Sequence, residues 1–456
     1  MMRSIIRVCV CVCLLQASAF AQSYIIIAWN DLGMHCANKD FSTFVVLPPY
    51  NNVIAQVIRV GDPLNAPSVI TSNLRVTYEI PGNTYSVGKT NFWDYEDKIF
   101  GVNLPDNIGL TDHGLSGEMV VEGDYFIITG IPITPYTDAN LVTEDPFQLG
   151  WFNVYDQSAQ WLAATHTVVP VSNEINCISA GCHASEQAIL NQHAGTSGLD
   201  PNNKPVLCAS CHASNALGTP GKPGVPPLSE AVHKHHGEFT DDCYTCHPGP
   251  VTQCLRDVMS TQHGLVCQDC HGSVTQVGES ISSGREPWLQ EPSCGAVACH
   301  DPAHAEESGK LYRQSRGHGN LYCSACHGSP HAIVPSRVDR DNVQNVALQG
   351  HAGTLHTCEV CHGYIPAGPG PHGASACAVR VDGDVNATGA VTSADIIYLV
   401  NFIFKGGAQP QPCVANGNVN CDTQVTAADV IHLVNYVFKS GVAPCDVCSN
   451  SQMSCP

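Results

Sequence analysis

Hydrophobic and polar positions change their rhythm twice along this chain. From residue 22 to about 170 the rhythm is that of β-strands. Leu74-Arg75-Val76-Thr77-Tyr78-Glu79-Ile80 alternates apolar and polar residues at period two, as a strand with one face in a core does. Tyr24 to Trp29, Val53 to Val60, Met119 to Ile128 and Trp151 to Tyr155 read as further strands, punctuated by Pro48-Pro49, Pro81-Gly82 and Gly130. The 19 aromatic residues of residues 22–170 supply a conventional core. The expected architecture there is an antiparallel β-sandwich.

Between Cys177 and His362 the rhythm fades. Five aromatic residues occur in that stretch, Phe239, Tyr244, Trp288, Tyr312 and Tyr322, and a Gly/Pro loop interrupts it from Gly218 to Pro227. So few large apolar side chains cannot bury much surface. Residues 171–362 are therefore expected to form a domain with little regular secondary structure, whose core is something other than side chains. Residues 363–376, with Pro366, Pro369 and Pro371, read as a linker. Order returns over 377–456 as two similar units, with Asp384 and Asp395 matched by Asn418 and Asp429, each 34 residues further on. Ile396, Leu399, Val400 and Ile403 recur at helical spacing, as do Val430, Leu433, Val434 and Val437. Those stripes predict a small α-helical pair with an internal core.

Residues 1–21 carry Arg3 and Arg7, then the apolar run Val8 to Leu15, then Ala19-Phe20-Ala21, the layout of a cleaved export signal. Of the 456 residues, 20 are Lys or Arg and 40 Asp or Glu; without Arg3 and Arg7, 18 positive charges against 40 negative leave −22. That charge argues against nucleic acid or an anionic membrane surface as partner, and no other run is long and apolar enough to span a bilayer. Cysteine is abundant, at 25, and three of these lie in the signal. A chain so rich in thiols belongs in an oxidising compartment or has its thiols occupied.

Most are accounted for by one motif. Cys-x-x-Cys-His occurs five times, at Cys208-Cys211-His212, Cys243-Cys246-His247, Cys267-Cys270-His271, Cys323-Cys326-His327 and Cys358-Cys361-His362. It is the attachment signature of c-type haem: two thiols add across the porphyrin vinyl groups while the adjacent imidazole reaches the iron. Cys177-Cys182-His183 and Cys294-Cys299-His300 have four residues between the cysteines and the same ending. One such match would equally suit a zinc knuckle or a redox dithiol. Seven on one exported chain predict about seven covalent haems, with porphyrin as the missing core.

Fifteen histidines remain for the far side of the irons. A His-Gly or His-Ala-Gly precedes each Cys-x-x-Cys-His, which nominates His193, His236, His263, His318 and His351; His331 and His233 complete seven, with His235, His304 and His356 behind them. Methionine is scarce beyond the signal, so bis-histidine iron is the expectation, and with it low potentials. Iron ligated on both sides has no open position, which predicts electron transfer rather than catalysis. The rival expectation is a reductase of nitrogen or sulfur oxyanions with one open haem. Eight cysteines are left, Cys36, Cys254, Cys377, Cys413, Cys421, Cys445, Cys448 and Cys455, and disulfides are expected chiefly among the last six.

The run of haem motifs with interspersed His-Gly resembles the exported multihaem c-type cytochromes of bacteria that exchange electrons outside the cell, as do Cys323 to Pro330 and Leu348 to Cys361. Trp29-Asn30-Asp31-Leu32-Gly33-Met34-His35-Cys36 is similar to a segment at the front of such proteins. The C-terminal duplication resembles a type I dockerin module, a paired EF-hand-like calcium fold. That resemblance implies one or two calcium ions. The first loop would offer Asp384, Asn386, Thr388, the Ala390 carbonyl, Thr392 and Asp395, with Gly389 at the sharp turn. The second would offer Asn418, Asn420, Asp422, the Gln424 carbonyl, Thr426 and Asp429, departing from the pattern at Asn418 and Thr423. The implied partners are redox proteins or extracellular acceptors, further copies of the chain in a filament, or a cohesin-like protein.

Overall fold

The computed structural model describes residues 23–447, except 174, 176, 179–180, 196–197, 296–298, 301–305, 367–369, 374–378, 380 and 423. The segment read as an export signal, His304, Thr423, Cys377, Cys448 and Cys455 lie outside the described residues. Twelve strands are described: β1 (Tyr24–Asn30), β2 (His35–Cys36), β3 (Phe44–Val45), β4 (Val53–Arg59), β5 (Ser68–Val69), β6 (Leu74–Glu79), β7 (Ser116–Glu118), β8 (Val120–Glu122), β9 (Tyr125–Ile128), β10 (Phe147–Asp156), β11 (Trp161–Ser172) and β12 (Val206–Leu207). One sheet runs β1-β4-β9-β8 with β5 also on β4; the second runs β2-β11-β10-β6-β7. Their inner faces share one core, in which Ile26, Val57 and Phe126 of the first sheet meet Val76, Phe152 and Val169 of the second.

The N-terminal antiparallel sheets are thus as expected, with three differences. Met119 to Ile128 is not one strand but the hairpin β8–β9, because Gly123 takes a positive φ and reverses the chain between Glu122 and Tyr125. The long strand β11, unanticipated, pairs with β10 from Phe147↔Pro170 to Tyr155↔Trp161. β2 joins β11 in parallel, so the second sheet is not wholly antiparallel.

Strand β1 explains how the sheets meet the rest of the chain. Its sequence does not alternate, and Ile25 to Asn30 are all buried, as in a strand covered on both faces. Ile26 and Ala28 point into the sandwich, whereas Ile25, Ile27 and Trp29 pack with Ile58 against Leu321, Ala325 and Leu355 of the central region. β1 is also a sheet edge, whose unpaired N–H groups invite further pairing. Central residues cover them: Ala28 N donates to Gln344 Oε1 (2.8 Å) and Asn30 N to Ser329 Oγ (3.1 Å).

The central region consists of short helices: α2 (Glu186–Gln192), α3 (Leu228–His236), α4 (Val258–His263), α5 (Cys267–His271), α6 (Val274–Ser282), α7 (Cys323–His327), α8 (Asp339–Gln349) and α9 (Glu359–His362), after α1 (Glu96–Phe100) in the sheet region. Among the described residues between 173 and 320, the buried apolar side chains are Leu190, Ala209 and Ile281. Three such residues do not make a hydrophobic core.

The C-terminal units place α10 (Ser393–Lys405) against α11 (Ala427–Lys439) over a core of Val385, Leu399, Val419 and Leu433. Thr392 with Asp395, and Thr426 with Asp429, form capping boxes that start each helix. Cys421 and Cys445 form a disulfide, and Cys413 is also disulfide-bonded.

Candidate metal centres

Each Cys-x-x-Cys-His motif sits on about one helical turn. Those at 267 and 323 are the helices α5 and α7; that at 358 continues into α9; those at 208 and 243 begin as 3₁₀ turns. One turn brings the second thiol and the histidine beside the first thiol. The fourteen motif cysteines form no disulfides among themselves, nor do Cys36 and Cys254 with each other.

Six of the seven motif histidines face a second imidazole. Ring centroids stand 6.0 Å apart for His183 and His236, 6.3 Å for His212 and His193, and 5.7 Å for His247 and His233. They stand 6.2 Å apart for His271 and His331, 6.0 Å for His327 and His372, and 5.9 Å for His362 and His318. A metal held about 2.0 Å from one nitrogen of each of two opposed imidazoles sets the ring centres roughly 6 Å apart. The spacing therefore fits an iron between each pair. His372, in the segment read as a linker, was not among the sequence candidates; its signal was the dipeptide His372-Gly373, which follows a motif instead of preceding one. Among the described residues, no imidazole faces His300, and neither His263 nor His351 lies opposite a motif histidine. His351 stands 5.0 Å from His356 instead.

Backbone carbonyls orient these rings. His193, His233 and His236 direct Nδ1 to the carbonyls four residues back, of Ile189 (3.2 Å), Ser229 (2.7 Å) and Val232 (2.7 Å). His212 Nδ1 reaches Pro226 O (2.8 Å). With Nδ1 donating, the lone pair sits on Nε2, the tautomer of a metal ligand. Helix α3 carries both His233 and His236, so one helix serves the motifs of His247 and His183. Burial drives His247, His271 and His327 down to about 4, helped by the imidazoles opposite, which keeps all three neutral.

The segment Trp29 to Cys36, whose role the sequence left open, is a bracket around His331. Asn30 Oδ1 accepts from the N–H groups of Leu32 (3.1 Å) and Gly33 (2.7 Å), closing the turn, while its amide donates to Asn51 and Asn52. Asp31 accepts from Asn52 and contacts His35 Nε2 at 2.7 Å; burial pushes the Asp31 carboxyl up, but these partners outweigh it and hold it below the usual range. The Leu32 carbonyl then lies 3.2 Å from His331 Nδ1. Gly33 has φ +74°, and a Cβ there would overlap the Pro330 carbonyl oxygen. Arg256, fully buried, donates to the Gly33 carbonyl (2.7 Å) and grips Asp341 with two bonds of 2.7 and 2.9 Å.

The motifs follow one another in space, and their thiols carry the trace. Burial raises Cys208, Cys294, Cys326 and Cys361 to about 12. Neighbouring motifs add to the rise: Cys177 acts on Cys208, Cys182 on Cys246, Cys299 on Cys270 and Cys361 on Cys326, while Cys294 is raised by Glu306 and, after it, by Cys270 and Cys323. Cys243 and Cys267 share a hydrogen bond that raises the first and lowers the second. The motifs accordingly run second, first, third, fourth, fifth, sixth, seventh. The histidine pairs agree, since α3 ties the first to the third, His331 ties the fourth to the sixth, and His318 and His372 cross between the last two.

In the C-terminal units the predicted loop residues converge. Asp384 accepts from Thr388 N (3.0 Å) and Gly389 N (2.6 Å), and Asp395 from Asn386 N and Thr392 N. In the second unit Asp429 accepts from Asn420 N and Thr426 N, Asp422 from Gln424 N, and Asn418 Nδ2 donates to Asp422 O. Burial raises the carboxyls of Asp395 and Asp429 above their ordinary value. A cation would relieve that burial, and these oxygens are the hard ligands calcium takes. Ala390 lies in the first loop, ahead of the Thr392 cap.

The chain matches no family model, no curated protein and no solved structure.

Proposed function

We propose that this protein is an exported multihaem c-type cytochrome that carries electrons through about seven haems. The haems would be attached at the seven thiol pairs, with His183, His212, His247, His271, His300, His327 and His362 on one side of the irons. On the other side His236, His193, His233, His331, His372 and His318 would complete six of them. The observation that carries this reading is the set of six imidazole pairs at 5.7 to 6.3 Å, in a region that buries few apolar side chains ahead of residue 321. What the group supplies when bound is a reversible one-electron couple; the chain supplies axial ligands, spacing and burial. The motif order gives one linear path, ending at the second and seventh motifs, by which electrons would pass between a redox partner and an extracellular acceptor or a further copy in a filament. No helix among the described residues is long and apolar enough to cross a membrane. The C-terminal module would bind calcium and dock a cohesin-like partner.

A pyridine haemochrome count on the secreted protein tests this. About seven haems per chain are expected, six of them low-spin in the ferric state, and fewer than five haems would refute the assignment. A high-spin iron with turnover of nitrite or tetrathionate would favour the reductase instead.

A further inference from the structure

A second kind of metal site lies where the last motif meets the C-terminal units. His356, Asp382 and Asp446 bring one imidazole nitrogen and two carboxylate oxygens within 4.8 Å of one another. His351 stands beside them, its ring 5.0 Å from that of His356. Neither histidine faces a motif histidine among the described residues, which leaves both outside the six imidazole pairs.

Both rings are set for ligation. His356 Nδ1 lies 2.9 Å from the Thr354 carbonyl, and His351 Nδ1 lies 2.9 Å from the Ala352 carbonyl. Each Nδ1 therefore donates and each Nε2 holds a lone pair. Both Nε2 atoms are shut off from solvent with no hydrogen-bond donor to meet them, which is a cost unless something electrophilic lies there. Opposite them lie the carboxylates of Asp382 and Asp446, whose oxygens stand within reach of the same ion.

We propose that His356, Asp382 and Asp446, with His351 as fourth ligand, bind one zinc-class divalent ion that clamps the C-terminal units to the haem region. Two imidazoles and two carboxylates are a borderline set that suits Zn²⁺, whereas calcium takes oxygen ligands in larger number. Ligand atoms about 2.0 Å from a tetrahedral ion stand roughly 3.3 Å apart, so binding draws the four side chains inward by a short distance. The clamp has a defined reach. His356 is two residues before Cys358, Asp382 is two residues before the first loop, and Asp446 adjoins the disulfide-bonded Cys445. The ion would thus fix the bearing of the C-terminal module relative to the seventh motif, one end of the proposed path.

The test uses the full-length, haem-loaded protein in millimolar calcium, stripped of transition metal and titrated with ZnCl₂ alone. Zinc and haem are counted in the same sample, so failure of the clamp is distinguished from failure of the haem assignment. One zinc per chain is expected, with X-ray absorption at the zinc edge showing nitrogen and oxygen neighbours. Asp446→Asn, nearly isosteric, is expected to weaken zinc binding at least tenfold with the haem count unchanged, and His356→Gln to do the same. Unchanged zinc binding in both variants would overturn the proposal. So would a haem turning high-spin in His356→Gln, which would make that imidazole an iron ligand.

Discussion

Gly33→Ala is a substitution of one hydrogen by a methyl group, outside the region of the motifs, whose effect should appear at one iron. The backbone at Gly33 has φ +74°, a left-handed conformation costing an alanine about 1–2 kcal/mol. The new methyl would overlap the Pro330 carbonyl oxygen and lie 2.8 Å from its carbon. Ordinary carbon contacts are about 3.5–4.0 Å, so Pro330 must retreat on the order of 1 Å or more. Overpacking of this kind adds about 1–3 kcal/mol, for a total of roughly 2–5 kcal/mol. The next residue is His331, facing His271 at 6.2 Å, and metal–ligand bonds tolerate displacements of only about 0.2 Å. If the proposed haem assignment holds, the cheaper outcome is release of His331 from the iron at His271. Carbon monoxide titration of the reduced protein should then find one more open iron per chain than in the parent. Gly82→Ala, where a Cβ meets nothing within 4 Å, is the control and should bind no additional carbon monoxide. If Gly33→Ala folds, retains its haems and leaves the carbon monoxide stoichiometry of the parent, the bracket does not hold His331 and the reasoning fails.

Other outcomes follow from single contacts. His372→Ala should open one iron, that at His327, detected as a new high-spin ferric signal; an unchanged spectrum would show that His372 is not its ligand. Gln344→Ala should destabilise the protein by roughly 2–5 kcal/mol in denaturant melts, because the buried Ala28 N–H and Thr165 hydroxyl lose their shared acceptor at 2.8 and 2.9 Å. The Arg316 guanidinium clasps Asp124 and holds its carboxyl below the ordinary value. A carboxylate with a depressed folded pKa stabilises the fold above about pH 4 and loses that contribution as pH falls through its folded value. Arg316→Met should therefore cost about 1 kcal/mol or less at neutral pH, the pair being partly exposed, and its pH–stability curve should merge with the parent's at low pH.

Several features were legible because their physics is local. Alternation in Leu74 to Glu79 marks β6, and the apolar run from Tyr24 to Trp29 marks β1. The five Cys-x-x-Cys-His motifs announced themselves because thiol, thiol and histidine share about one turn of chain. The hairpin within Met119 to Ile128 was missed although Gly123-Asp124 is a turn pair, since the flanking apolar runs read as continuous. His372 escaped a rule that looked only ahead of each motif, whereas the imidazole that meets a motif histidine is chosen by proximity in space from either side of it.

By itself, then, the sequence determined which residues stand ready for chemistry: the thiol pairs, their adjoining histidines, the duplicated loops and the strands of the sheet region. Those depend on spacings of a few residues, over which the backbone has little choice. Only the tertiary structure decided which imidazole meets which, the spatial order of the motifs, and that the turn at Asn30 to Gly33 braces His331, 298 residues beyond Gly33. Contacts of that range depend on how the face of β1 packs against Leu321, Ala325 and Leu355, and no local pattern encodes the pairing of two surfaces that meet only when the chain is folded.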